Sequence, residues 1–481
     1  MYHKKLFLGL LVVLFCIATN SVVVADIYVR SGAGGSNNGT DWANAYTSLS
    51  TAESNVTRGE TIWIAEGSYG SVTYNVPGSG TTLITVKKAT DDAHGAASDW
   101  SSTYGDGQVT MASPILFDSP WWVLDGVIWE GFWIDLDNGY GGSCGSECGC
   151  VHVSSSGDNV VIKGSRFDGN YNHAAEYSLS FLDPTNLTLE YCHFYKLPWQ
   201  DHFSGRLSGT FTITRSVINM LDWSGSAPDV AGAHMDTMNP WIGSGGWNLV
   251  FNRNIVYELR GNMFLFQEDG QMGDVTAVYN IFADIAHPVL RLGSGNAGVS
   301  SVTYYNNVFY DTITQQMDNV TEKNNIFMNS GSYEYFGDPE VHYSADVSQY
   351  NLWETGTLDF QSGTGNVSSG DPGFINPSSP LGADGIPFTD DDGFNIEAGS
   401  DAIDMGTDLG LGTDIRGNSV SATPSVGAYE YDAGATPSII KKIMNYFRRL
   451  RGDNGITQDN QETNPDALAQ VQKYLAVRFG I

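Results

Sequence analysis

Gly232 to Trp241 reads GAHMDTMNPW and sets His234 two residues from Asp236. Histidine titrates nearest neutrality, and an adjoining carboxylate fixes its tautomer, so His-x-Asp is a natural proton-transfer pair. NMFLFQED adds Gln267, Glu268 and Asp269, while HFSGRLSG and PVLRLGSG add His202, Arg206 and Arg291. A base, its carboxylate, an amide and two fixed cations suit removal of a proton beside a carboxylate. The same stretch also offers two carboxylates, Asp236 with Asp269 or Glu268, for acid–base cleavage of a glycosidic bond. Such residues are just as readily solvated surface. The fold decides between these readings by bringing them together or not.

An internal repeat supplies that fold. Short β-branched segments end in Asn-Ile or a close relative: NLVFNRNIVYEL, VTAVYNIFADI, VTYYNNVFYDT, VTEKNNIFMNS and VSQYNLWETG. Their Asn254, Asn280, Asn307, Asn325 and Asn351 recur at steps of 26, 27, 18 and 26. Upstream, Ser216, Cys192, Arg166 and Ile128 continue the phase. A period near 25 with two or three short strands per unit predicts an all-β chain, a parallel β-helix solenoid. The Asn side chains would form a ladder at one turn, with Val, Ile or Phe at the next position stacked inside. An antiparallel sandwich leaves Asn at one phase unexplained.

Two steps are stretched. Ser216 to Asn254 and Ile128 to Arg166 each span 38 residues, and loops thrown from a coil build binding clefts. Strand alternation then sorts the faces. Phe203, Leu207, Met235, Thr237, Phe264, Phe266, Leu290 and Leu292 read as inward. His202, Arg206, His234, Asp236, Gln267, Asp269 and Arg291 read as one outward file on stacked rungs, close enough to meet one bound sugar. In a non-catalytic carbohydrate-binding solenoid, Trp199, Trp223 and Trp241 would stack on sugar rings.

Residues 1–25 have a basic start, an apolar run and a small-residue end, the pattern of a secretory signal; the run is short for a membrane span. The net charge of −31 disfavours nucleic acid and requires a local basic patch for any polyanion. In an exported chain Cys144, Cys148, Cys150 and Cys192 read first as disulfide candidates, with connectivity open. GADGIPFTDDDGFN offers Asp384, Asp390, Asp391 and Asp392 as oxygen ligands for calcium, off the EF-hand spacing; no cofactor is required otherwise. After 432 the composition turns basic: from Thr436 onward there are seven Lys/Arg against four Asp/Glu. SIIKKIMNYFRRL carries a helical apolar stripe, and Asn464-Pro465 opens a second helix.

IYVRSGAGGSNNGTDWANAYTSLSTAESNVTRGETIWIAEGSYG resembles the N-terminal cap and first coil of secreted right-handed β-helix proteins, the pectin-lyase-like superfamily. FNIEAGSDAIDMGTDLG with VGAYEY resembles their closing segment. The resemblance covers roughly 26–431 and implies a capping helix at about 42–56, first coils in 26–115, central coils in 116–360 and closing coils in 361–432; the helical tail in 433–481 is read from its own pattern. HMD followed one coil later by FQED is similar to strands of several such proteins. RLGSG is similar to the Arg-Leu-Gly segment of alginate- and chondroitin-type lyases, but Pro288 stands where they carry Glu. Their Lys base has no evident counterpart among Lys163, Lys196 and Lys323, and the polygalacturonase pattern is missing.

The implied function is an exported, monomeric lyase cleaving a uronate-containing polysaccharide by β-elimination. His234 would be the base held by Asp236, Arg206 and Arg291 the carboxylate neutralisers and Gln267 a positioner, with His202 or calcium assisting. His202, Glu268, Asp269 and Trp241 complete the substrate-binding set. A glycoside hydrolase with paired carboxylates and a non-catalytic carbohydrate-binding solenoid are the alternatives.

Overall fold

The computed structural model describes residues 26–112, 114–135, 149–168, 177–196, 202–219, 237–240, 246–259, 263–266, 270–285, 289–292, 297–312, 319–328, 346–354 and 362–431. The signal-like start and the basic tail lie outside them. The chain winds as a parallel β-helix. Each coil contributes a strand to face A, then face B, then face C, and every strand pairs in parallel with its equivalent one coil on. Face A runs through Ile115–Phe117, Gly149–Val153, the first part of Phe203–Thr214, Met238–Pro240, Phe264–Phe266 and Leu290–Leu292. Face B holds Trp122–Asp125, Val160–Lys163, Trp247–Asn252 and Gly270–Val278. Face C holds Phe132–Asp135, Ser165–Asp168, His193–Tyr195, Val217–Asn219, Ile255–Leu259 and Ile281–Ile285.

The corner from face B to face C fixes the stack. Arg253, Tyr279, Asn306, Asn324 and Tyr350 all take φ near +57°, turning the chain so that the next residue points into the coil. That residue is Asn254, Asn280, Asn307, Asn325 or Asn351, each fully buried. Asn280 shows the pattern. Its Oδ1 accepts from the Asn254 main-chain N–H at 2.9 Å, and its Nδ2 donates to Phe251 O at 2.7 Å and Asn307 Oδ1 at 2.9 Å. Ser216 and Cys192 extend the column as expected. One rung further the slot belongs to Ser165 rather than Arg166, because Arg166 pairs with His193; Phe132, opposite Ser165, then stands where Ile128 is expected.

Inside face C, Phe282, Phe309, Phe327 and Trp353 stack at 5.3, 5.0 and 4.0 Å between ring centroids. These stand two residues after the ladder, not one. The residues immediately after it, Ile255, Ile281, Val308, Ile326 and Leu352, are buried on the outside of face C. There they pack beneath Phe388, Phe394, Ile415 and Val426 of the irregular segment from 374 to 431. The ladder turn also holds this segment: Arg253 donates to the carbonyls of Thr413 and Asp414, and Asn324 Nδ2 to Thr407 O. Gly427, at φ +87°, passes so close that a Cβ would lie 2.5 Å from Ile326 Cδ1. The outer column must be apolar because a second layer covers it. Near the N-terminus, helix Leu49–Glu53 is shorter than the expected 42–56; Ser48 caps it, and Leu49 and Ala52 are buried.

Asn280→Ala strands a buried N–H, a carbonyl and a neighbouring amide. At about 1–3 kcal/mol for each unsatisfied group, urea unfolding should show a loss of at least about 3 kcal/mol. Ile281→Asp, which buries a charge under the outer segment, should unfold that layer first. Limited proteolysis should then cut between 374 and 431 before the coils; simultaneous cutting would contradict a separate outer layer.

Candidate functional site

Both stretched steps fall at the same corner, between face C and face A. The chain departs face C after Asp135 and after Asn219, and rejoins face A at Gly149 and Met238. Face A between these points is continuous in register. His152, Ser180, Ser204, Asn239, Leu265 and Arg291 occupy one column on successive rungs. His152 Nδ1 meets Ser180 Oγ at 2.8 Å. Arg291 is three rungs from Ser204, about 14 Å of backbone at about 4.8 Å per rung. His234, Asp236, Trp241, Gln267, Glu268, Asp269, Cys144 and Cys148 lie outside the described residues. For Arg291 only the backbone register is fixed.

Arg206 is held by a bulge. Pairing slips between Leu182 and Thr185, opposite Arg206 and Ser208. Gly205 just before it, at φ +136°, has no room for a side chain: a Cβ would sit 1.8 Å from Phe181 O. Bulges re-aim side chains. Here Arg206 turns back toward the preceding coil, where Nη2 donates to Asp183 Oδ2 at 3.1 Å. Arg206 therefore points toward the preceding coil rather than toward the coils that follow.

His202 is a second correction. It is fully buried, not outward. Its Nδ1 contacts Ser178 Oγ at 2.9 Å, and burial, helped by the charge of His193, pushes its pKa down to about 3. It is a neutral core group and leaves the substrate-binding set. Strict alternation fails at this corner because two successive residues face inward on each coil: His202 with Phe203, Thr237 with Met238, Met263 with Phe264, Val289 with Leu290.

The sequence reading missed a cluster on the outside of face C, beside the departure points. The turn from Gly126 to Gly131 holds Val127 at φ +68° and Glu130 at φ +54°. A β-branched residue there is strained, and the turn brings Glu130 and Trp129 over face C. Glu130 Oε1 contacts His193 Nδ1 and lies 3.3 Å from Arg166 Nη1; Arg166 Nη2 reaches Asp168 at 2.8 Å. The guanidinium covers Tyr195 and Trp133, and Trp129 stacks on His193. Burial pushes the Glu130 pKa up, but the hydrogen bond and charge of His193, with Arg166, outweigh it and hold the carboxyl below its ordinary range. Glu130 and His193 are 63 residues apart, and only the coil register joins them.

Cys192 is withdrawn as a disulfide candidate. It fills the ladder slot, its Sγ donates to the carbonyls of Ile162 and Glu190, and burial pushes its thiol up to about 12. Cys150 is buried on face A. The four aspartates do not converge as calcium ligands. Asp390 pairs with Arg416 at 3.1 Å, Asp384 accepts from Ile386 N–H and Asp391 from Ala383 N–H. Asp392 accepts from Tyr429 at 2.8 Å, and burial raises its pKa well above the usual carboxylate value, a poor state for a ligand. Among the described residues, no group of three or more His, Cys, Asp or Glu could hold a metal.

No family model and no curated protein matches the chain. Among solved structures it is similar to a pectate lyase, Pel9A, at 15% identity over 85% of this chain and 96% of that one, with a TM-score of 0.49. It is similar to a rhamnogalacturonan lyase at 10% identity, over 78% of this chain and 96% of that one, TM-score 0.46. A variant of the PL6 family alginate lyase AlyGC is similar at 10% identity, over 86% and 60%, TM-score 0.37.

Two outcomes follow. With Cys192 kept as a thiol, at most one disulfide can form among Cys144, Cys148 and Cys150. Labelling of the unreduced, denatured chain from Asp26 onward should therefore find at least two thiols, Cys192 among them; a blocked Cys192 would refute its place in the ladder. Glu130 has a lowered folded-state pKa, so its stabilisation is present above its unfolded value of about 4.3 and is lost as pH falls through the folded value. Glu130→Gln should flatten the acid limb of the stability–pH curve and leave the alkaline limb unchanged.

Proposed function

We propose that this protein is an exported polysaccharide lyase that cleaves a uronate-containing chain by β-elimination along face A. One observation carries the reading: both stretched segments spring from the corner bordering the in-register column that ends at Arg291. A polymer lying along the solenoid axis would meet one rung after another of this column. The coil that resumes at Met238 is flanked by the Arg206 coil one rung away and the Arg291 coil two rungs away.

In this reading His234, oriented by Asp236, takes the proton at C5. The electrons of that C–H bond form the C4=C5 double bond, and the glycosidic oxygen leaves C4 with its bonding pair and is protonated. Arg291 neutralises the carboxylate of the unit that loses its proton, which lowers the barrier to carbanion formation, and Arg206 binds the carboxylate of a neighbouring unit. Gln267, Glu268, Asp269 and Trp241 bind the chain. Among the described residues no helix is long and apolar enough to cross a membrane.

Polygalacturonate, alginate and neutral glucans should be offered to the purified protein while ultraviolet absorbance and reducing ends are followed together. Elimination gives both signals on a uronate polymer and neither on a neutral one. Reducing ends without absorbance would replace the lyase with the paired-carboxylate hydrolase, and silence on every polymer would leave only binding. On the polymer that is cleaved, His234→Ala and Arg291→Ala should each cut turnover at least about a hundredfold. Their melting should remain near wild type, and an active His234→Ala would end its assignment as base.

A further inference from the structure

Asp183 and Arg206 differ from the other ion pairs among the described residues. Both of their side chains are more than a third exposed, 41% for Arg206 and 48% for Asp183. In the other described pairs at least one partner is well covered, as in Arg166 with Glu130 (18% and 19%) and Arg416 with Asp390 (7% and 31%). An ion pair open to solvent on both sides contributes little, typically under about 1 kcal/mol, and exchanges readily.

The backbone is nonetheless shaped to make this pair. Asp183 takes φ +54°, a conformation that a non-glycine residue adopts at some strain. It sits where the pairing register slips, opposite an arginine that a bulge and the crowded Gly205 turn toward it. Two local distortions on adjacent coils thus hold one weak surface contact at the edge of face A. Stability does not explain that arrangement.

We propose that Asp183 is a resident stand-in for a substrate carboxylate, holding Arg206 in place in the free protein and yielding it when a uronate unit arrives. This deepens the lyase reading and rests on it. The contact keeps the arginine at the groove edge before binding. It also sets a threshold: a ligand carboxylate must outcompete Asp183, while an ester or neutral sugar has nothing to offer Arg206. Asp183 is therefore a specificity residue rather than a catalytic one, acting on binding and leaving the proton transfers untouched.

Asp183→Asn tests this cleanly, because asparagine tolerates the same left-handed conformation and nearly the same shape. On polygalacturonate the variant should lower KM about two- to fivefold, the range an exposed ion pair spans, with kcat unchanged. The gain should vanish on the fully methyl-esterified polymer and in an Arg206→Ala background. Asp91→Asn, an exposed acid elsewhere on the solenoid, controls for the lost charge and should not reproduce the gain. An unchanged or raised KM for Asp183→Asn, or an equal gain on the ester, overturns the proposal. Retardation of the same proteins in gels containing polygalacturonate separates the two readings. Tighter binding by Asp183→Asn without any cleavage would sink the lyase while keeping the stand-in. Cleavage with no change in binding would do the reverse, and neither binding nor cleavage by any form would sink both.

Discussion

The buried amide column at the corner from face B to face C is the constraint on which the other layers depend. Each Asn must accept from one main-chain N–H and donate to a carbonyl of the preceding coil, which is possible only where successive coils are in register. The left-handed residue before it turns the chain and leaves its own side chain outside. One device therefore sets the rung spacing inside and presents a row of outward groups, from which Arg253 and Asn324 grip the outer segment. Because a missing amide would leave several buried groups unsatisfied, the column tolerates little substitution. Cys192 and Ser216 succeed in it by offering smaller donors and acceptors to the same neighbours.

Much of this was legible because asparagine is rare at a fixed phase. Where the slot holds serine or phenylalanine the signal fades, and periodicity alone points to Arg166 instead of Ser165. The apolar residue after each Asn was misplaced for another reason. Face C is buried on both sides, so its strands are apolar at consecutive positions, and alternation cannot say which side faces in. Only the outer segment settles this, and it comes from residues far along the chain. At the entry to face A, alternation fails again, because a solenoid corner turns two neighbouring residues inward. His202 was read as surface for that reason.

Site residues were legible to the extent that they sit in strands. Arg291 lies opposite Leu265 and Arg206 opposite Leu182, so both belong to strands that pattern alone could locate. The Glu130–His193–Arg166–Asp168 network was not legible, since a left-handed turn and the stacking of three coils assemble it from residues without a shared motif. It adjoins the outer layer through aromatic rings. Trp129 contacts Tyr191, and Tyr191 contacts Phe388 of the outer segment. That chain of rings joins the outer layer to the corner from which the stretched segments leave. Its position makes the network a brace for that corner.

Charge gives the last step. With a net charge of −31, the protein repels a polyuronate at a distance, so affinity has to come from cations held at fixed points. Several described cations are already committed. Lys163 lies 3.3 Å from Asp125, Arg166 is shared by Glu130 and Asp168, Arg253 is bound to two carbonyls, and Arg416 sits between Asp390 and Asp414. These partners are covered enough that exchanging them for a substrate carboxylate would leave a half-buried charge behind, a costly outcome. At Arg206 both members are open to water, so Asp183 can return to solvent unpaired at little cost. An acidic solenoid can therefore bind an acidic polymer through exchangeable positions of this kind, and salt acts on such binding in two opposed ways, screening the long-range repulsion while weakening the ion pair itself.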